Sequence, residues 1–232
     1  KLANLSEILK FAKENNLFVI EDCAQSHLAK SDKNINIGSD ISTYSFFPGK
    51  NLGAYGDGGA IATDNDKFAE FCRLYARHGA FKKGEHLIEG INSRLDTIQA
   101  SILRVKLKYL VENTKKRISI ADSYYEQLVK VNEINIPNKT EGFSHVFHLY
   151  VINTERRDEL KEFLLKKKIF TNINYPKALP DQICYEKKFN NVCDTYKVSR
   201  YLAKTCLSLP MHPFLKAEEV EYISENIKNF FK

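Results

Sequence analysis

Apolar positions recur at helical spacing at the head of the chain. Leu2, Leu5, Ile8, Leu9 and Ala12 share one face of KLANLSEILKFAKENN and predict an amphipathic helix. The period then changes to a short continuous apolar run, 17–21 (LFVIE), ending in an acid as a strand buried in a parallel sheet does. Segments 41–47 (ISTYSFF) and 59–63 (GAIAT) predict two more strands, with Asp64 and Asn65 as the turn after the second. Phe68, Phe71, Cys72 and Tyr75 return to helical spacing. Strands alternating with helices or long loops indicate an α/β layer with a mostly parallel sheet. Three strands are few for such a sheet and the pattern enters in mid-unit, so the expectation is that a further N-terminal part of this domain precedes Lys1.

From Leu95 the pattern becomes one long helical stretch. Ile98, Ile102, Val105 and Leu110 line a stripe that Ile118, Ala121, Tyr125 and Leu128 continue, with a bend expected near Asn113. Beyond a polar stretch at 132–142 come a strand at 145–152 (HVFHLYVI), a helix at 157–167 and a strand at 169–173. A loop with Pro176 and Pro180 follows, then helices at 196–206 and 217–231. The division expected is 1–110 as the C-terminal portion of a large α/β domain and 111–232 as a smaller α+β domain, the boundary falling between 105 and 118.

Composition narrows the function classes. The chain has 232 residues, 43% of them hydrophobic and 28% charged, which is an ordinary globular balance. The formal net charge of +6 comes from scattered lysines, which read as a solvated surface; no nucleic-acid partner is expected. No apolar run approaches the roughly 20 residues of a membrane span, and no membrane association is expected. The opening helix is not a secretory signal. Cys23, Cys72, Cys184, Cys193 and Cys206 form no CxxC pair and read as reduced thiols of a cytoplasmic protein. The six histidines, His27, His78, His86, His145, His148 and His212, do not cluster at metal-ligand spacing, so no metal site is expected; most read as surface or packing residues, and His148 is a candidate to face substrate phosphates.

Three clusters carry candidate chemistry. In Ser45-Phe-Phe-Pro-Gly-Lys50-Asn-Leu-Gly53, a lysine follows a strand end among several glycines. It fits neither a P-loop, since Asn51 stands where Ser or Thr belongs, nor a dinucleotide fingerprint, since the glycines lead into a strand rather than a helix. Two readings remain open: a Gly-rich turn with a surface lysine, or an imine-forming nucleophile at the strand end where ligands collect. In Glu21-Asp22-Cys23-Ala24-Gln25, Asp22 sits at another strand end, where its carboxylate either pairs with a protonated pyridine nitrogen or caps a following helix. In Gly90-Ile-Asn92-Ser-Arg94-Leu-Asp96, Asn92 or Ser93 starts a helix, or the amide and guanidinium make an anion site. Phe46, Phe47 and Tyr55 beside the lysine read as core residues.

The segments VIEDCAQSH, SDISTYSFFPGKNLGAYGDGGAI, RLYARHGA, EGINSRLDTIQASIL, FHLYVI, INYP and LSLPMHP together resemble the nucleotide-sugar aminotransferases of the DegT/DnrJ/StrS family, fold-type-I pyridoxal phosphate enzymes. The resemblance covers essentially the whole chain. It implies that Lys50 is the Schiff-base lysine and proton shuttle, and that Asp22 is the acid on the pyridine nitrogen. It also implies that Gln25 contacts the cofactor ring and that Ser45 donates to its phosphate. Asn92 is similar to the residue that reaches the cofactor phosphate of a neighbouring subunit, which makes a homodimer part of the expectation. Arg94 and Tyr175 match positions near the phosphates of a keto-sugar nucleotide. The amino donor in such enzymes is usually glutamate, and the product usually feeds polysaccharide biosynthesis. The alternative expectation is an inactive fragment or non-catalytic dimerising module of that fold. Three departures stand out: Leu28 where relatives commonly carry glycine, and Asn174 and Pro180 where they commonly carry histidine.

Overall fold

A computed structural model describes residues 1–30, 38–138, 145–186 and 196–232 of the chain. Cys193 lies outside the described residues. The chain separates into two compact units, one of Lys1–Lys115 with Glu141–His148, the other of Lys116–Thr140 with Leu149–Lys232.

The first unit opens with helix α1 (Leu5–Glu14), whose buried residues Leu5 and Ala12 belong to the expected stripe. Strand β1 (Ile20–Asp22) lies parallel to β2 (Ile41–Ser45), with Asp22 opposite Thr43. Strand β3 (Gly59–Ala62) lies antiparallel to β2, with Ser45 opposite Gly59. The sheet is therefore half antiparallel rather than mostly parallel. The cause is the connection: residues 46–58 form a loop without a helix, and only antiparallel neighbours are joined so simply. The run 17–21, expected to be buried, is not: Phe18 is 76% and Ile20 67% exposed. β1 and β3 are the two outer strands of this sheet, in the order β1-β2-β3.

Helix α2 (Asp66–Tyr75) starts where Asn65 Oδ1 accepts from Lys67 N and Phe68 N, an N-cap that satisfies two otherwise orphaned donors. A short hairpin of β4 (Ala80–Lys82) and β5 (Glu85–His86) follows. It packs through Gly79, at φ +71°, so close to the Ile88 carbonyl that a Cβ would collide. The long helical stretch is two helices, α3 (Thr97–Leu107) and α4 (Leu110–Leu128). The break is not at Asn113 but at Lys108 and Tyr109, whose N–H groups bond three residues back, to Val105 O and Lys106 O. Leu52, Ala54, Leu103 and Leu110 form a core cluster with Phe46 packed against it.

The second unit pairs β6 (Tyr150–Asn153) antiparallel with β7 (Cys206–Leu209), around which lie α5 (Arg157–Lys166), α6 (Ile183–Glu186), α7 (Lys197–Thr205) and α8 (Ala217–Phe230). Tyr124, Leu128, Ile152, Leu160, Leu164, Leu207 and Ile227 are fully buried there. Two expected strands change. The run 145–152 contributes only β6, because residues 145–148 belong to the first unit. Segment 169–173 makes a single bridge, Asn172 to Ser208. The strand that pairs with β6 is instead β7, at the end of what read as a helix.

Candidate functional site

Parallel pairing brings the ends of β1 and β2 to the same edge of the sheet, and the loop after each carries the candidate residues. After β1, Cys23 N donates to Thr43 O at 2.8 Å, extending the ladder one residue. Asp22 does not cap a helix. Its Oδ1 accepts from Ala24 N at 2.9 Å, closing an Asx turn, and Oδ2 stays open with no partner among the described residues. Gln25 is exposed on that same turn.

After β2, the chain folds back on itself. Ser45 Oγ accepts from Phe47 N (3.3 Å), Lys50 N donates to Phe47 O (2.8 Å) and Ala54 N donates to Phe46 O (2.8 Å). Gly53 allows this closure, since a Cβ there would run into the Pro48 carbonyl. Lys50 is half-buried, and its ammonium has no hydrogen bond or ion pair among the described residues. Next to it, Asn51 Nδ2 donates to Val146 O at 3.0 Å, tying the turn to residues 145–148. His148, half-buried, lies on that tied segment. On the other side of the loop, Tyr55 N donates to Gln99 Oε1 at 2.8 Å. Of the three aromatics expected in the core, only Phe46 packs there; Phe47 and Tyr55 are 56% and 76% exposed, and Lys106 Nζ lies 5.4 Å from the Tyr55 ring centroid.

Titratable neighbours fill the space behind these turns. Burial above all, then the Cys23 thiol and the Glu21 carboxylate, pushes the Tyr44 phenol up to about 12. Burial likewise raises the Cys23 thiol, so it stays protonated and unreactive at neutral pH. His27, which read as a packing residue, is 5% exposed, and neither ring nitrogen has a hydrogen-bond partner among the described residues. Its imidazole is held below its ordinary basicity, first by burial and then by the charge of Lys50. Sequence reasoning gave this residue no role at the site, and no pattern in the sequence marks it as unsatisfied.

The remaining candidates lie elsewhere. Asn92 does not cap α3; Asp96 occupies that position, and Asn92 bridges to Arg77 in an extended segment. Asn92 Oδ1 accepts from Arg94 Nε at 3.1 Å. Arg94, Arg73 and Arg77 line a cavity of about 1160 Å³ that runs along β3, and none of Asp22, Gln25, Ser45 and Lys50 lines it. Tyr175 belongs to the second unit and is 67% exposed, beside Asn174, whose Oδ1 accepts from Ser208 Oγ at 3.0 Å. Among the described residues no group of three or more His, Cys, Asp or Glu is placed to hold a metal ion, and no helix is long and apolar enough to cross a membrane.

The chain is similar to known proteins along its whole length. The chain is 41% identical to the pleiotropic regulatory protein of Geobacillus stearothermophilus, over 100% of this chain and 63% of that protein. It is 38% identical to the dTDP-3-amino-3,6-dideoxy-alpha-D-galactopyranose transaminase of Aneurinibacillus thermoaerophilus, over 98% of this chain and 62% of the relative. Among solved structures, the DesV protein of S. venezuelae in complex with a ketimine intermediate superposes with a TM-score of 0.95 at 30% identity, covering 100% of this chain and 62% of that one. The chain thus spans about three-fifths of the length of the relatives it matches. Over residues 1–228 it matches the DegT/DnrJ/EryC1/StrS aminotransferase family, and to that family it belongs.

Proposed function

We propose that the chain carries the lysine end of a pyridoxal phosphate-dependent sugar aminotransferase, moving an amino group from an amino acid, with glutamate as donor, to a keto-sugar nucleotide. The observation that supports it most is the pairing of β1 and β2 in parallel. That pairing sets an open carboxylate at Asp22 and an unpaired amine at Lys50 on loops leaving one edge of one sheet.

The donor set suits the cofactor. Pyridoxal phosphate, when bound, supplies an electron sink whose strength depends on a protonated ring nitrogen. Asp22 is acceptor-only and already oriented by the Ala24 N–H, so its free oxygen is the partner for that nitrogen. Gln25, on the same turn, offers an amide to the ring, and Ser45 a hydroxyl to the phosphate. Lys50 is the nucleophile and then the base that would carry a proton between the carbon of the bound substrate and that of the cofactor. The tight turn at Pro48–Gly53 keeps the lysine backbone fixed while its side chain moves.

Asn92 is assigned to the cofactor phosphate of a second subunit in a homodimer. Arg94, which keeps guanidinium donors beyond the one given to Asn92, is assigned to the nucleotide-sugar phosphates, with His148 and Tyr175.

Titration with pyridoxal phosphate tests this reading. A visible absorption band is expected for the native chain, lost completely in Lys50→Ala and blue-shifted or weakened in Asp22→Asn. A native chain without any band, or a band untouched by Lys50→Ala, overturns it and leaves a non-catalytic module of the same fold.

A further inference from the structure

Residues 91–93 run alongside the end of α2, and main-chain bonds fix them there. Ile91 N donates to Tyr75 O at 2.8 Å, His78 N to Ile91 O at 3.0 Å and Ser93 N to Ala76 O at 3.0 Å. Gly90 permits the approach, since a Cβ there would run into Gly79 N and Tyr75 O. Arg77 and Asn92 stand opposite each other in an antiparallel bridge. The bonds from Ser93 and His78 flank that pair, which makes no hydrogen bond of its own. In such a pair the facing side chains come closest and share one face. The backbone alone thus sets Arg77 beside Asn92.

The side chains add direction. Arg94 Nε donates to Asn92 Oδ1 at 3.1 Å, so the Asn92 amide turns its donor, Nδ2, away from that bond. Arg94 keeps its other guanidinium N–H groups, and Arg77 keeps all of its own, among the described residues. Arg77 and Arg94 line one cavity, together with Arg73, four residues before Arg77. Asp57 and Asp64 line it as well, yet no carboxylate among the described residues forms an ion pair with any of the three guanidiniums. Like charges gathered in this way repel one another until an anion comes between them. The groups that Arg77, Asn92 and Arg94 leave open are all donors, and a phosphate is an acceptor on every side.

We propose that Arg77, Asn92 and Arg94 form one phosphate-binding site. Asn92 Nδ2 and the open guanidinium N–H groups of Arg77 and Arg94 donate to the phosphate oxygens, while Arg94 Nε holds the Asn92 amide in the orientation that donates. The inference rests on the assignment of Asn92 to a phosphate and deepens it. Arg77 becomes a further binding residue, and Arg94 a positioning residue for Asn92 as well as a source of charge. The three belong to a single chain, so the site can be tested on that chain by itself.

Inorganic phosphate is titrated into the native 232-residue chain, and NMR follows the Asn92 side-chain amide and the Arg77 Nε–H. Neither the cofactor nor Lys50 takes part, so a missing absorption band leaves this result standing, and the converse holds. Both signals are expected to move and saturate together. Arg77→Gln is expected to weaken binding about tenfold, the loss of a charge-assisted bond. Arg94→Lys keeps the charge but not the Nε–H that orients Asn92, and is expected to weaken it about fivefold. Arg104→Gln, on α3, removes the same charge away from the site and is expected to bind as the native chain does.

Native affinity in Arg77→Gln or in Arg94→Lys overturns the proposal. Equal losses in Arg77→Gln and Arg104→Gln overturn it too, since they mean an adventitious ion only, held by net charge. Should Arg77→Gln fail to fold, the native chain decides alone: unmoved Asn92 and Arg77 signals overturn the site. Pyridoxine phosphate, which has no aldehyde and forms no imine, and uridine diphosphate are then compared in the same titration. Tighter binding of the first supports the site as that of the cofactor phosphate, and of the second as that of the nucleotide sugar. If neither binds, the proposal falls.

Discussion

The two units of the chain bury their apolar residues to different extents. In the second, Tyr124, Leu128, Ile152, Leu160, Leu164, Leu207 and Ile227 are fully buried, and all four residues of β7 are inside. In the first, α2 buries none of its residues, and Phe18, Ile20 and Ile61 on the outer strands are 76%, 67% and 53% exposed. Among the described residues, the unit that carries Asp22 and Lys50 thus has fewer large side chains fully buried. The better-packed unit holds fewer of the candidate reactive groups; uncovered apolar side chains occur in both units and are more numerous in the one holding most of those groups. Large uncovered apolar patches mark surfaces that associate.

The sharpest way to break this contrast is by truncation of matched apolar residues. Leu164→Ala, at 0% exposure, is expected to cost about 3 kcal/mol in urea unfolding, the sum of lost transfer energy and a cavity. Ile61→Ala, half exposed on β3, is expected to cost less than about 1 kcal/mol. Equal costs at the two sites would show that the β3 face is covered in solution, by self-association or otherwise. Concentration dependence of the Ile61 effect would identify self-association as the cause.

A second contrast lies in how the units respond to alkali. Burial raises the phenols of Tyr124 and Tyr150 in the second unit above their ordinary range, and Tyr124 also donates to Pro210 O at 3.0 Å. Below about pH 10 both folded and unfolded chains keep these protons, and the two tyrosines confer no pH dependence. Above it the unfolded chain releases protons that the folded chain retains, so stability falls as pH rises through the folded values. By about pH 11 the loss is expected to exceed about 1 kcal/mol, read as a lower urea midpoint. Tyr124→Phe gives up the bond to Pro210 at neutral pH, about 1 kcal/mol, and flattens part of the alkaline slope. A slope unchanged in that variant would place the alkaline sensitivity elsewhere, with Tyr44 in the first unit the next candidate.

How much of this was legible beforehand follows the same division. Helices α2, α5, α7 and α8 were readable because each repeats apolar residues at the spacing that a 3.6-residue period encodes. The apolar run HVFHLYVI was not readable as it stands. Its first half is held in the other unit by Asn51 reaching Val146, a contact across 95 positions that no local period records. The reversal of β3 escaped for a similar reason: pairing sense depends on whether a connection crosses over, not on the strand's own residues. At the site, Asp22 and Lys50 stood out because their wording is specific. His27 did not, because nothing in sequence distinguishes a satisfied core histidine from an unsatisfied one.

Leu28 is the one place where a departure from the family pattern meets a measurable backbone cost. Its φ of +65° is where relatives commonly place glycine, and at 41% exposure its side chain buries too little to repay the strain. The left-handed conformation costs a leucine about 1 kcal/mol or more, whereas glycine adopts it freely but loses more freedom on folding. The two terms leave Leu28→Gly more stable by about 0.5 kcal/mol, read as a small rise in the urea midpoint.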